Sequence, residues 1–218
     1  KLPGARHPWY TLPSMKPNLR LLLAVSVLFG ISTGLYEFIL PYYLKARGVS
    51  FEAMGAIFAL AGLAMVLARI YMGGLADRWG RKQVYGWAVG VCGLATMATP
   101  LPQLVGLVWQ FMLKTVRETA ALTRETIYPI VLYEEGHHGF LNRIGKFRGV
   151  EYLLQAGGTL AAGIIIKYIA SPRDAYAVAL IGAGALMVIG AGWWAAAFRE
   201  YRRPDAQRII TLRELFTF

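Results

Sequence analysis

The sequence predicts an all-α membrane protein, a bundle of six transmembrane helices. Three observations predict it. Six apolar segments are each long enough to cross a hydrocarbon core of about 30 Å, which takes about 20 helical residues. Composition agrees, with 56% hydrophobic and 16% charged residues and a mean hydropathy of +0.45, beyond what a soluble domain usually shows. Basic residues also gather on one side of the chain's crossings. Fifteen of the 23 Lys and Arg fall in or beside the termini and even-numbered turns, four in or beside the odd-numbered turns and four deep inside the spans. Cytoplasmic segments retain positive charge, so both termini are expected in the cytoplasm of an inner (plasma) membrane protein.

The elements follow in order. Residues 1–17 carry four prolines and no helical periodicity and read as a cytoplasmic tail that orders on contact or stays mobile, with Trp9 and Tyr10 near the interface. The bundle occupies 18–198, with spans Asn18–Lys45, Ser50–Ala76, Arg81–Leu101, Leu104–Tyr133, Gly145–Ile169 and Asp174–Phe198. Between them lie turn signals: Arg47-Gly48, Gly73 to Lys82, Pro100–Pro102, the Gly136-His137-His138-Gly139 stretch and Ser171-Pro172. Residues 199–218 form a basic linker in which Thr211-Leu212-Arg213-Glu214 has a capping-box pattern, opening an amphipathic run through Ile209, Leu212, Leu215 and Phe216.

The turn from Gly73 to Lys82 is the most specific stretch. Gly73 lets helices approach, Gly80 permits positive φ, and Arg78, Arg81 and Lys82 suit anionic headgroups. Asp77 is placed to accept hydrogen bonds from a helix N-terminus or an arginine. Its spacing, Gly-x-x-x-Asp-Arg-x-Gly-Arg-Lys, closely resembles the loop between the second and third helices of the major facilitator superfamily. That resemblance implies two three-helix inverted repeats, roughly Asn18–Leu101 and Leu104–Phe198, forming half of a twelve-helix fold. The Leu-Arg-x-Leu order at Leu19–Leu22 returns near Leu212, as if a second repeat began there, so the chain reads as an N-terminal half whose partner is a C-terminal six-helix half on the same or a separate chain.

Chemistry is sought among the intramembrane polar residues. The fourth span holds Lys114, Arg117, Glu118, Arg124 and Glu125, and the spacing of seven in Arg117/Arg124 and Glu118/Glu125 returns each type to nearly one face. Such a face is too costly to leave in lipid. The superfamily places an arginine of its fourth helix near the central cavity, followed by Gln-Gly in the pattern Arg-x-x-Gln-Gly; Arg117 is the nearest match, without the Gln-Gly. Arg117 reads either as cavity lining or as half of an ion-paired lock, with Arg69 reaching Glu125 or another carboxylate. Glu37 reads as a proton carrier or as a hydrogen-bonded or Arg-paired structural group, and Glu151 is the second candidate. Tyr36, Tyr42, Tyr43 and Gln155 would wall a cavity, or the aromatics would anchor the interface. Gly30/Gly34, Gly157-Gly158 and Gly182/Gly184 mark close helix packing.

Other classes fare worse. The net charge of +11 is spread between apolar spans, where it meets lipid rather than nucleic acid. Cys92 is the single cysteine, so no disulfide forms within the chain and no cysteine-pair metal or redox site exists. All three histidines, His7, His137 and His138, lie outside the spans, which leaves no Ser-His or His-carboxylate site for an intramembrane enzyme. The Glu134–His138 run reads as a solvated loop rather than a metal site. No cofactor or metal is expected. The fifth span lacks the Gly-Pro-x-x-Gly of the superfamily's drug/proton antiporters, which disfavours that activity. The resemblance therefore implies a secondary transporter that moves a small solute, with an anionic one favoured by the basic fourth helix, by alternating access and with proton symport through Glu37 as one option. The alternative is a transporter-like membrane subunit or assembly factor that moves nothing.

Overall fold

The computed structural model describes residues 16–104, 106–134, 140–168 and 172–198, with the side chains at 69–70, 73–77, 134 and 172–173 outside the description. Residues 1–15 of the expected N-terminal tail, the C-terminal linker and the histidine loop lie outside the described residues. Six long helices run through the rest: α1 Pro17–Ala46, α2 Phe51–Trp79, α3 Arg81–Ala98, α4 Leu107–Glu134, α5 Phe140–Tyr168 and α6 Pro172–Ala197, with a 3-10 turn at Pro102–Leu104. Local chemistry sets their ends. Pro17 starts α1 where its missing N–H is harmless, and the Ser50 hydroxyl accepts from the Ala53 amide to cap α2 at 3.2 Å. Gly48 (φ 82°) and Gly80 (φ 89°) make the α1–α2 and α2–α3 turns in the left-handed region that other residues avoid.

The predicted spans match these helices to within three residues at each end except at α5, which begins at Phe140, five residues before the expected Gly145. Phe140, Ile144 and Phe147 lie on one face and pack into the core, so the apolar stripe outweighs the basic residues interleaved with it. Among the described residues, α1, α2, α5 and α6 are long and apolar enough to cross a membrane. The composition of α4 is more polar, and it buries the charged Lys114, Arg117 and Arg124. Its outward residues Val108, Trp109, Met112 and Val116 are apolar and exposed.

Packing is carried by α1 against α5 and α6, α3 against α4 and α6, and α2 against α4. Exchanging α1 with α4, α2 with α5 and α3 with α6 maps this set of contacts onto itself. Glycines permit the closest approaches. A Cβ on Gly34 would overlap the Gln155 carbonyl oxygen, one on Gly30 would come within 2.7 Å of the Glu151 carbonyl oxygen, and one on Gly158 would overlap the Ile31 carbonyl oxygen. Gly184 meets Gly93 across α3 and α6 in the same way, whereas Gly157 and Gly182 face open space and serve no such contact. Gly34→Leu is therefore expected to separate α1 from α5 and destabilise the bundle by about 2–4 kcal/mol, more than the overpacking of an ordinary core site. Thermal unfolding in detergent checks it, with Gly157→Leu as the near-neutral control.

Candidate functional site

Among the described residues, no direct helix packing of note joins α1 to α4. Side chains bridge them instead, because α4 turns its arginines inward and α1 turns Ser26, Phe29, Tyr36 and Glu37 toward them. The bridges form two clusters, one around each arginine.

Arg124 sits at the centre of the first, fully buried. Its Nη1 and Nη2 donate to the two oxygens of Glu151 at 2.6 and 2.9 Å, Nη2 also donates to Ser26 Oγ at 3.0 Å, and Nε donates to the Tyr85 hydroxyl at 3.3 Å. The Phe29 ring lies 4.0 Å below the guanidinium. Four helices are thus tied by one side chain whose nitrogens all have partners. Glu151, set against Gly30 by the close α1–α5 approach, is buried at 7% exposure of its side chain. Outward from it, Arg148 lies 3.8 Å from Glu151 and 3.5 Å from Glu125, whose side chain is 46% exposed. The expected partner of Glu125, Arg69, lies outside the described side chains.

Arg117, two turns toward the opposite end, has a different environment. Its Nη1 donates to Glu37 and to Glu118, each at 2.7 Å, and its guanidinium stacks 3.8 Å over the buried Tyr36 ring. Lys114 donates to the same Glu118 oxygen at 2.8 Å and lies 4.7 Å over the Phe58 ring of α2. Arg117 is 2% exposed while the Glu37 side chain is 44% exposed. Among the described residues, its Nε and Nη2 are buried with no hydrogen-bond partner, as is Thr33 Oγ1 on α1. Glu37 is consequently paired rather than lone. Two cations and two carboxylates leave this cluster formally neutral.

The remaining sequence candidates separate from these clusters. Gln155 is half-buried on α5 with its carbonyl against Gly34, where Thr159 donates to it at 3.1 Å. Tyr42 is exposed and Tyr43 is buried beneath the Arg47 guanidinium. In the α2–α3 turn, Arg78 is exposed and Arg81 and Lys82 half-buried; Gly73 and Asp77 lie outside the described side chains. The Trp194 indole donates to the Lys82 carbonyl at 2.9 Å, fixing the first turn of α3 to α6. Sequence reasoning missed Ser26, Thr33, Phe58, Tyr85 and Arg148. Arg148 was legible in its spacing of three from Glu151 within the expected fifth span. The stretch Gly30-Ile31-Ser32-Thr33-Gly34 has the spacing of a nucleophile elbow, but it lies inside α1. Ser32 there is buried and donates to the Ala183 carbonyl at 2.6 Å.

Comparison with known proteins bears on residues 2–122, which match the family model described as Major Facilitator Superfamily. Over 69 residues the chain is 34% identical to the niacin transporter NiaP of Acinetobacter baylyi, a stretch covering 32% of this chain and 16% of that protein. No solved structure matches the chain.

Proposed function

The chain belongs to the major facilitator superfamily, and we propose that it is the six-helix portion of a secondary transporter that moves a small solute by alternating access, with the Arg117–Glu37 cluster as the solute and coupling site. One observation carries this reading. Of two buried arginines on α4, one is fully satisfied and the other keeps unmet donors beside a half-exposed carboxylate. A purely structural pair would be expected to satisfy both.

The self-mapping set of helix contacts supports two inverted three-helix repeats, α1–α3 and α4–α6. A second six-helix half would complete the solute path. Gly149, Ala156 and Gly163, at successive spacings of seven on exposed positions of α5, suit close approach of such a partner. The charge asymmetry supports cytoplasmic termini, and Asp77 with its neighbours would then latch the cytoplasmic ends of the halves. Glu37 is the proton carrier in this scheme. Glu151 is not, since Arg124 holds both of its oxygens.

Niacin, the solute named for the relative, is the first to test. Full-length protein in proteoliposomes is expected to accumulate labelled niacin when an inward proton gradient is imposed. Glu37→Gln should abolish the response to the gradient while leaving exchange of solute across the membrane. Uptake by Glu37→Gln that still follows the gradient would remove Glu37 from coupling.

A further inference from the structure

Among the described residues, Arg117 leaves one whole edge of its guanidinium without a partner. Nη1 alone reaches Glu37 and Glu118, whereas Nε and Nη2 are buried and unpaired. Those two nitrogens carry parallel N–H groups along the side of a planar fork, the edge that matches both oxygens of a carboxylate. Arg124, on the same helix and also buried, fills every nitrogen, so the gap between α1 and α4 does not simply starve arginines of partners. Unmet donors on a buried cation are strongly unfavourable and rare in native proteins.

A second unpaired group lies in the same interval. Thr33 Oγ1 is buried without a partner, and Thr33 falls between Ser26, which meets Arg124, and Glu37, which meets Arg117. Its spacings of seven and four place it on the α1 stripe that faces α4. Charge narrows what could fill the site. Lys114 and Arg117 are already balanced by Glu37 and Glu118, so a doubly charged phosphate would bring more negative charge than the cluster can oppose. A monoanion is far less costly there.

We propose that the Nε–Nη2 edge of Arg117, with the Thr33 hydroxyl, is the subsite for the carboxylate of a small monocarboxylate solute. This rests on the reading that the Arg117 cluster is the solute site and adds the class of solute it takes. Neither nitrogen reaches solvent in this conformation, so the carboxylate enters as α1 and α4 move apart, and its oxygens take up the N–H groups that are unmet here. The amide of the same acid has one oxygen and a donor in place of the second, and it loses one of the two matched bonds.

The test is equilibrium binding to the purified full-length protein of three acids, niacin, benzoate and acetate, each beside its amide. At least one acid is expected to bind at least about tenfold tighter than its amide, since a site built for paired hydrogen bonds rejects the analogue that lacks one. Arg117→Lys should weaken that acid by about 10–100-fold, because Lys keeps the charge and loses the fork. Thr33→Val, which keeps side-chain shape and should leave the melting temperature unchanged, should weaken it by about threefold to tenfold. Binding of the amides, which keep one bond at most, should weaken less than that of the acids in either variant. Equal binding of acid and amide, acid affinity unchanged in both variants, or no acid bound at all would overturn the subsite. The transporter reading fails separately: a protein that carries an amide but prefers no acid remains a transporter without this subsite.

Discussion

Arg124→Ala is expected to destabilise the bundle by about 3–5 kcal/mol, the cost of leaving a buried carboxylate without its charge partner. The substitution strips both oxygens of Glu151 and frees Ser26 and Tyr85 at once. Arg148, 3.8 Å from Glu151 and on the same helix, is too far for a full hydrogen bond in its place. Removing the carboxylate as well should reverse most of the loss. Arg124→Met with Glu151→Leu is expected to unfold within about 1–2 kcal/mol of the native protein, since apolar groups of similar volume replace buried ion pairs at little cost. Thermal unfolding followed by tryptophan fluorescence checks both variants.

Arg117→Ala is expected to do the opposite, costing transport more than stability. Glu118 keeps its bond to Lys114 at 2.8 Å, and Glu37 is exposed enough to be hydrated once released. The stability loss should stay at about 1.5–2 kcal/mol, the low end for hydrogen bonds to charged groups, because neither carboxylate is left buried and unpaired. Solute uptake should fall at least about thirtyfold, because truncating a buried charge that holds a partner typically costs 2 kcal/mol of binding or more. Uptake per folded protein, measured in proteoliposomes, separates the two effects.

The helices were legible because each part of the signal agreed. Apolar runs of span length ended at Gly48, Gly80 and Pro172, and those residues do end or start helices in the structure. The start of α5 was obscured by Arg143, which interrupts an apolar stripe at Phe140, Ile144 and Phe147. Glycine pairs signalled close packing, yet only the structure tells Gly158, pressed on Ile31, from Gly157 beside it, which faces open space.

The site was legible as a face but not as a pair of roles. A spacing of seven puts Arg117 and Arg124 on one side of α4; it says nothing of what stands opposite. The antiparallel register of α1 decides that, bringing Ser26 and Phe29 to one arginine and Tyr36 and Glu37 to the other. The close α1–α5 contact at Gly30 then delivers Glu151 to Arg124. Sequence placed Glu37 first and Glu151 second as proton candidates, and their partners and exposure set them further apart.

The central claim is that two arginines on one helix divide the work, Arg117 handling solute and Arg124 holding the bundle. The direct measurement is uptake per folded protein alongside melting temperature for Arg117→Ala and for the Arg124→Met/Glu151→Leu pair, in the same proteoliposome preparation. The account predicts near-native melting with lost uptake for the first, and near-native melting with retained uptake for the second. Retained uptake in Arg117→Ala, or uptake lost in a well-folded double variant, would contradict it.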